Sequence, residues 1–165
     1  MKKYELLVED TITFFGVQLF RIKALISFSG IEKGEVGGYI ASEKNLSQYG
    51  NAWVYGNARV YGDAWVSGNA RVSGNARVYG NAEVSGDARV YGDADYIVFK
   101  NTWSSGRYFT YTKSNKNWRV GCFYGSGAEL VEKAYKDSKK SGDFYKAYVD
   151  FVEKLEEIEN IHKEQ

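Results

Sequence analysis

A mainly β protein built on a short parallel β-helix is the fold class this sequence predicts. Three observations carry it: a six-residue repeat running without a gap from Gly50 to Tyr91, 18 glycines with no proline, and strand-like alternation ahead of the array. The repeat has seven copies, from Gly50-Asn51-Ala52-Trp53-Val54-Tyr55 to Gly86-Asp87-Ala88-Arg89-Val90-Tyr91, and a degenerate eighth, Gly92-Asp93-Ala94-Asp95-Tyr96-Ile97, closes it. In each copy Ala, a variable residue and Val are consecutive, so strand alternation sends Ala and Val inward and the variable residue outward. The Gly-Asn or Gly-Asp pair supplies a positive-φ corner. A unit this short buries almost nothing alone, and identical strands joined by identical turns are satisfied only by stacking into a solenoid.

Residues 1–37 read as strands capping the first coil, because an open solenoid end exposes strand edges and core. Tyr4 to Val8 and Ile12 to Phe15 form two strands joined by Glu9-Asp10-Thr11. Val17 to Phe28 alternates as a half-buried strand, with Phe20, Ile22, Ala24, Ile26 and Phe28 on one side. Gly34, Gly37 and Gly38 mark the bends leading into the solenoid, assigned to residues 38–97. The remainder, 98–165, holds a hairpin of Arg107 to Thr112 and Trp118 to Phe123, then two helices. The first helix starts at a capping box, Ser126 with Glu129 three residues on, and runs to about Lys140, where Ser141-Gly142-Asp143 breaks the chain. The second places Phe144, Tyr148, Phe151, Leu155 and Ile158 at alternating spacings of four and three, an a/d-like seam of barely two heptads.

The run Val54-Tyr55-Gly56-Asn57-Ala58-Arg59 and its successors closely resemble the hexapeptide-repeat family of left-handed parallel β-helices, over about a quarter of the chain. The resemblance implies three hexapeptides per triangular coil, so that residues 18 apart stack in columns. One outer face would then carry Trp53, Arg71 and Arg89, a second Arg59 and Arg77, and the third Trp65 and Glu83. Trp53 would lie near enough to Arg71 for a cation–π contact. Turn columns would be Tyr55-Ser73-Tyr91, Tyr61-Tyr79 and Ser67-Ser85. The family also implies homotrimers with helices near the threefold axis. Two readings of the second helix's seam therefore stand: packing on the chain's own β-helix, or self-association.

The enzymes of that family use a histidine as general base. Here the one histidine, His162, sits in the last turn of the terminal helix and reads as solvated. The same lack removes the three-histidine zinc site of the γ-class carbonic anhydrase relatives, and the outward Arg, Trp and Glu do not make the flat threonine array of ice-binding β-helices. Cys122, in Gly121-Cys122-Phe123-Tyr124-Gly125, reads as a buried structural thiol rather than a nucleophile. No phosphate-loop signature is present. The sequence thus predicts a non-enzyme without metal or cofactor, and an acyltransferase using a carboxylate such as Glu83 is the weakest alternative.

With 22 Lys plus Arg against 21 Asp plus Glu, no global field recruits long nucleic acid or acidic membrane, so any anion site is local. No apolar run approaches a membrane span, and the N-terminus lacks a signal-peptide core, which together predict a cytoplasmic protein. Guanidinium forks suit phosphates and aromatic faces suit bases. Arg59, Arg71, Arg77, Arg89, Trp53 and Trp65 are accordingly the candidate site for a small anionic, nucleotide-like ligand. Leu19-Phe20-Arg21-Ile22-Lys23-Ala24-Leu25, Gly37-Gly38-Tyr39-Ile40, Asn45-Leu46-Ser47 and Gly121-Cys122-Phe123, set around the repeats, are similar to small phage- and prophage-encoded hexapeptide proteins. That resemblance implies an accessory protein of an infected cell. The expectation is counter-defence, by sequestering a nucleotide-derived host signal at clefts between subunits or by blocking a host protein.

Overall fold

The computed structural model describes residues 1–164. Each repeat contributes a two-residue strand, and strands pair in parallel with the copy 18 residues on. The three walls of the prism follow from that register. Ahead of the repeats lie β1 (Tyr4–Phe14), β2 (Val17–Ala24) and β3 (Val36–Ile40). The repeat strands are β4 (Trp53–Val54), β5 (Arg59–Val60), β6 (Trp65–Val66), β7 (Arg71–Val72), β8 (Arg77–Val78), β9 (Glu83–Val84) and β10 (Arg89–Val90). Wall one stacks β3, β5 and β8, wall two β6 and β9, and wall three β4, β7 and β10. Every repeat Ala from 52 to 88 and every repeat Val from 54 to 90 is fully buried, and together they form one core. The small Ala lets three walls converge while Val fills the centre.

Glycine alone turns the corners. Gly50 through Gly86, one per copy, have φ between 58° and 71°, whereas the Asn and Asp that follow do not enter the left-handed region. Their side chains form a ladder along one edge instead: Asn51 Nδ2 donates to Asn69 Oδ1 at 3.0 Å, and Asn69 Nδ2 to Asp87 Oδ1 at 3.4 Å. The eighth copy departs from the pattern at its glycine, since Gly92 is extended at φ −154° and starts a 3-10 turn at Asp93–Asp95. From there β11 (Tyr96–Lys100) leaves the prism.

Both ends of the solenoid are closed by side chains matched to the free backbone groups. At the first coil, Lys3 Nζ donates to Ala52 O at 2.8 Å, Tyr4 Oη donates to Leu46 O at 2.6 Å, and Asn45 Nδ2 donates to Gly62 O and Ala64 O. Burial pulls the Lys3 ammonium down to about 8. At the last coil the acceptors change sides. Arg77 N–H donates to Asp93 Oδ1, Glu83 N–H to Thr110 Oγ1, Arg89 N–H to Ser114 Oγ and Tyr91 N–H to Asp95 Oδ2, all at 2.7–2.9 Å. These caps satisfy the edge in place of a fourth coil and block continued stacking.

Asn45 has all its hydrogen-bonding capacity used, because its Oδ1 also accepts from Ala41 N and Ser42 N. Asn45→Ala would strand these buried groups, with an expected loss of about 2 kcal/mol in urea denaturation. The Asp93 carboxyl lies below the usual carboxylate range, first because Arg77 hydrogen-bonds it. A depressed folded pKa stabilises above the unfolded value and is lost as pH falls through the folded one. The melting temperature of Asp93→Asn should therefore fall less than that of the parent between about pH 5 and pH 3.

The N-terminal hairpin departs from expectation. β1 is one continuous strand against β2, with an irregularity between Leu7 and Thr11 rather than a connecting turn. Phe15 and Gly16, both at positive φ, make the two-residue turn. β2 ends at Ala24; Leu19 is fully buried along with Ile22 and Ala24, while Phe20 stays partly exposed. Gly37 and Gly38 are not bends. They lie inside β3, where a Cβ on Gly37 would sit 2.5 Å from Val54 O and one on Gly38 2.7 Å from Ala58 O.

The C-terminal part has its own core. β11, β12 (Tyr108–Thr112), β13 (Asn117–Val120) and β14 (Phe123–Ser126) form an antiparallel sheet in sequence order, twice the strands of the hairpin expected. α1 (Gly127–Asp137) and α2 (Lys139–Lys163) follow. The Ser126–Glu129 capping box is present at the start of α1. The break falls earlier than Ser141-Gly142-Asp143, at Ser138, which caps α2 by accepting from Ser141 N. Gly142 lies in the first turns of α2, where any Cβ would collide with the Tyr135 ring. The helices pack on the sheet, through Phe109, Tyr111, Trp118, Leu130, Ala134, Tyr145, Val149 and Val152, and not on the solenoid. Among the described residues no helix is long and apolar enough to cross a membrane.

Candidate ligand-binding surface

The columns expected from the 18-residue coil are in register: Trp53, Arg71 and Arg89 on wall three, Arg59 and Arg77 on wall one, Trp65 and Glu83 on wall two. The six candidate site residues thus lie on three different walls, and one chain does not gather them into a single pocket.

Wall three holds the free cations. Arg71 and Arg89 are exposed and adjacent in register. Among the described residues, neither guanidinium has an ion pair or a side-chain hydrogen bond. Parallel stacking sets their backbones about 4.8 Å apart. Two like charges at that spacing repel, and an anion bridging them removes the repulsion. Trp53, next in the column, is not available to a ligand. The N-terminal segment covers it, with Phe28 edge-on at 5.4 Å and Tyr4 at 6.3 Å between ring centroids. Its exposure is 0 %, and the Trp53–Arg71 cation–π contact does not form, because the indole packs under the cap.

Wall one carries arginines already engaged with the protein. Arg21 lies 4.3 Å over the Tyr39 ring and also donates to Gly37 O and Gly56 O. Arg59 lies 4.2 Å over Phe14. Phe14 meets Tyr61, which stacks on Tyr79 at 5.3 Å and 7° as the turn column requires. Arg77 is neutralised by Asp93, which takes Nε at 2.9 Å and pairs with Nη2. The Phe14 contacts and the Asp93 pairing were missed because β1 and the eighth copy reach wall one only through the tertiary fold. On wall two, Trp65 is partly exposed, and the Glu83 carboxylate lies 3.4 Å from Arg119 Nε.

The seam of α2 lies at the margin of the helix–sheet contact and not at its centre. The buried positions Tyr145, Val149 and Val152 each follow Phe144, Tyr148 and Phe151 by one residue, about 100° round the helix. Phe144 stacks on Trp103 at 4.5 Å and Tyr148 meets Phe99 at 4.9 Å. Leu155 is half-buried, while Phe151, Ile158 and Ile161 remain 50 %, 43 % and 56 % exposed. Cys122 is exposed, contrary to expectation, since it occupies the turn between β13 and β14. His162 is exposed in the last turn of α2. Among the described residues no three His, Cys, Asp or Glu side chains converge as a metal site.

Residues 52–68 and 70–86 match the family model described as YdcK Beta solenoid repeat. The array is a β-solenoid repeat. The two matched stretches are neighbouring blocks of about one coil each, in agreement with the 18-residue period of strand pairing. A comparison with curated proteins finds no match.

Proposed function

We propose that this β-solenoid is a non-enzymatic binding protein, of left-handed hexapeptide type, that assembles as a homotrimer and captures a small phosphate-bearing, nucleotide-like ligand. The observation that carries the reading is the Arg71–Arg89 pair: two exposed, uncompensated guanidiniums fixed in register on a rigid wall. Guanidinium forks match phosphate oxygens bidentately, and rigid strands spend no ordering entropy on binding. The exposed apolar face of α2 supports the self-association reading, in which clefts between subunits would hold the ligand. Sequestration of a host immune signal in the cytosol by a phage-type accessory protein is the biological role that the sequence resemblance adds.

Equilibrium dialysis against a mixture of mono- and cyclic nucleotides tests it. The parent should retain a nucleotide that Arg71→Ala and Arg89→Ala each lose by at least about tenfold, the scale of one charge-assisted contact. Both substitutions are on the surface, so thermal stability should change by no more than about 0.5 kcal/mol. Unchanged retention in both variants removes the pair from the site.

A further inference from the structure

We propose a second site in the C-terminal unit, a small cavity that takes an organic carboxylate with an apolar body. The cavity, about 220 Å³, opens between the 101–107 loop, the β13–β14 turn, the C-terminal part of α1 and the first turns of α2. It is smaller than the range of about 300–1,000 Å³ typical of drug-sized ligands, which sets the size class.

Its donors are unspent. The Tyr145 phenol, 8 % exposed, accepts a hydrogen bond from Asn101 Nδ2 at 3.4 Å, but its own hydrogen has no acceptor among the described residues. Ser141 Oγ likewise accepts from Trp103 Nε1 at 3.2 Å and donates to nothing among them. At the rim the Arg107 guanidinium has no ion pair or side-chain hydrogen bond among the described residues, and Lys133 reaches only Asp137 at 3.6 Å. Two cations against one carboxylate leave the lining with one net positive charge, which suits a monoanion. Val120, Phe123, Leu130 and Ala134 give the wall an apolar side, alongside the polar Asn101, Ser104 and Ser105, and that side suits a hydrocarbon body rather than a bare inorganic ion. This site shares no residue with the Arg71–Arg89 pair, so each stands or falls alone.

Cys122 lines the same cavity and is exposed, which makes its thiol a reporter. The test measures the rate of Cys122 alkylation by iodoacetamide, a neutral reagent, in the presence of benzoate or its neutral isostere benzamide. Benzoate at up to about 10 mM should slow the reaction saturably, benzamide should not, and Arg107→Gln should weaken the benzoate effect about tenfold. Arg71→Ala should protect as the parent does. No protection, equal protection by the two probes, or full protection in Arg107→Gln would each overturn the proposal.

Discussion

Replacing Trp53 by alanine is expected to cost about 3–5 kcal/mol, as for deletion of a buried aromatic side chain. The indole is fully buried where the first repeat meets Tyr4, Phe28 and β3, so truncation opens a cavity at the junction of cap and prism. Urea denaturation measures it directly. If Trp53 were an exposed ligand contact, as the repeat pattern alone suggests, the midpoint would barely move.

Gly37→Ala is expected to lower stability by about 3 kcal/mol, near the upper end of overpacking costs. The new methyl would meet a backbone carbonyl, Val54 O at 2.5 Å, and the Trp53 ring at 2.8 Å, and neither can rotate away. Gly56→Ala is the control. That corner has φ 58° and nothing within 4 Å of a Cβ, so only the left-handed backbone penalty of about 1 kcal/mol applies. A thermal melt in which Gly56→Ala is the more damaged would mean that β3 does not lie against the first coil.

The solenoid was legible because its information is local and repeated. Ala in, Val in and Gly at the corner recur seven times, and the column partners Tyr61 and Tyr79 stack as the register requires. What surrounds the repeats was harder to read. Trp53 occupies an outward position, and only a segment some 25 to 50 residues away in sequence determines that it is covered. The acceptors Asp93, Asp95, Thr110 and Ser114 look like ordinary loop and strand residues until the open edge they cap is known. Gly142 signals a helix break in isolation, yet it admits the Tyr135 ring within a continuous helix. The candidate site was legible as columns but not as charge balance. Arg71 and Arg89 remain free while Arg77 meets Asp93, a pairing made at the place where the repeat degenerates.

The exposed stripe of α2 divides from stability in a simple way. Phe151→Glu with Ile158→Glu should lower stability in urea by no more than about 1 kcal/mol, because both side chains are about half exposed and the loss is confined to the edge contact of Phe151 with Phe99. In sedimentation velocity the same pair should convert any trimer to monomer. A parent that sediments as a monomer would withdraw the assembly.

Native mass spectrometry of the intact protein, before and after exposure to a nucleotide-rich cell extract, tests the binding account most directly. The account predicts a trimer that gains a discrete mass of a few hundred daltons per site, lost in Arg71→Ala. A trimer that gains nothing, or a gain that persists in Arg71→Ala and Arg89→Ala alike, would contradict it.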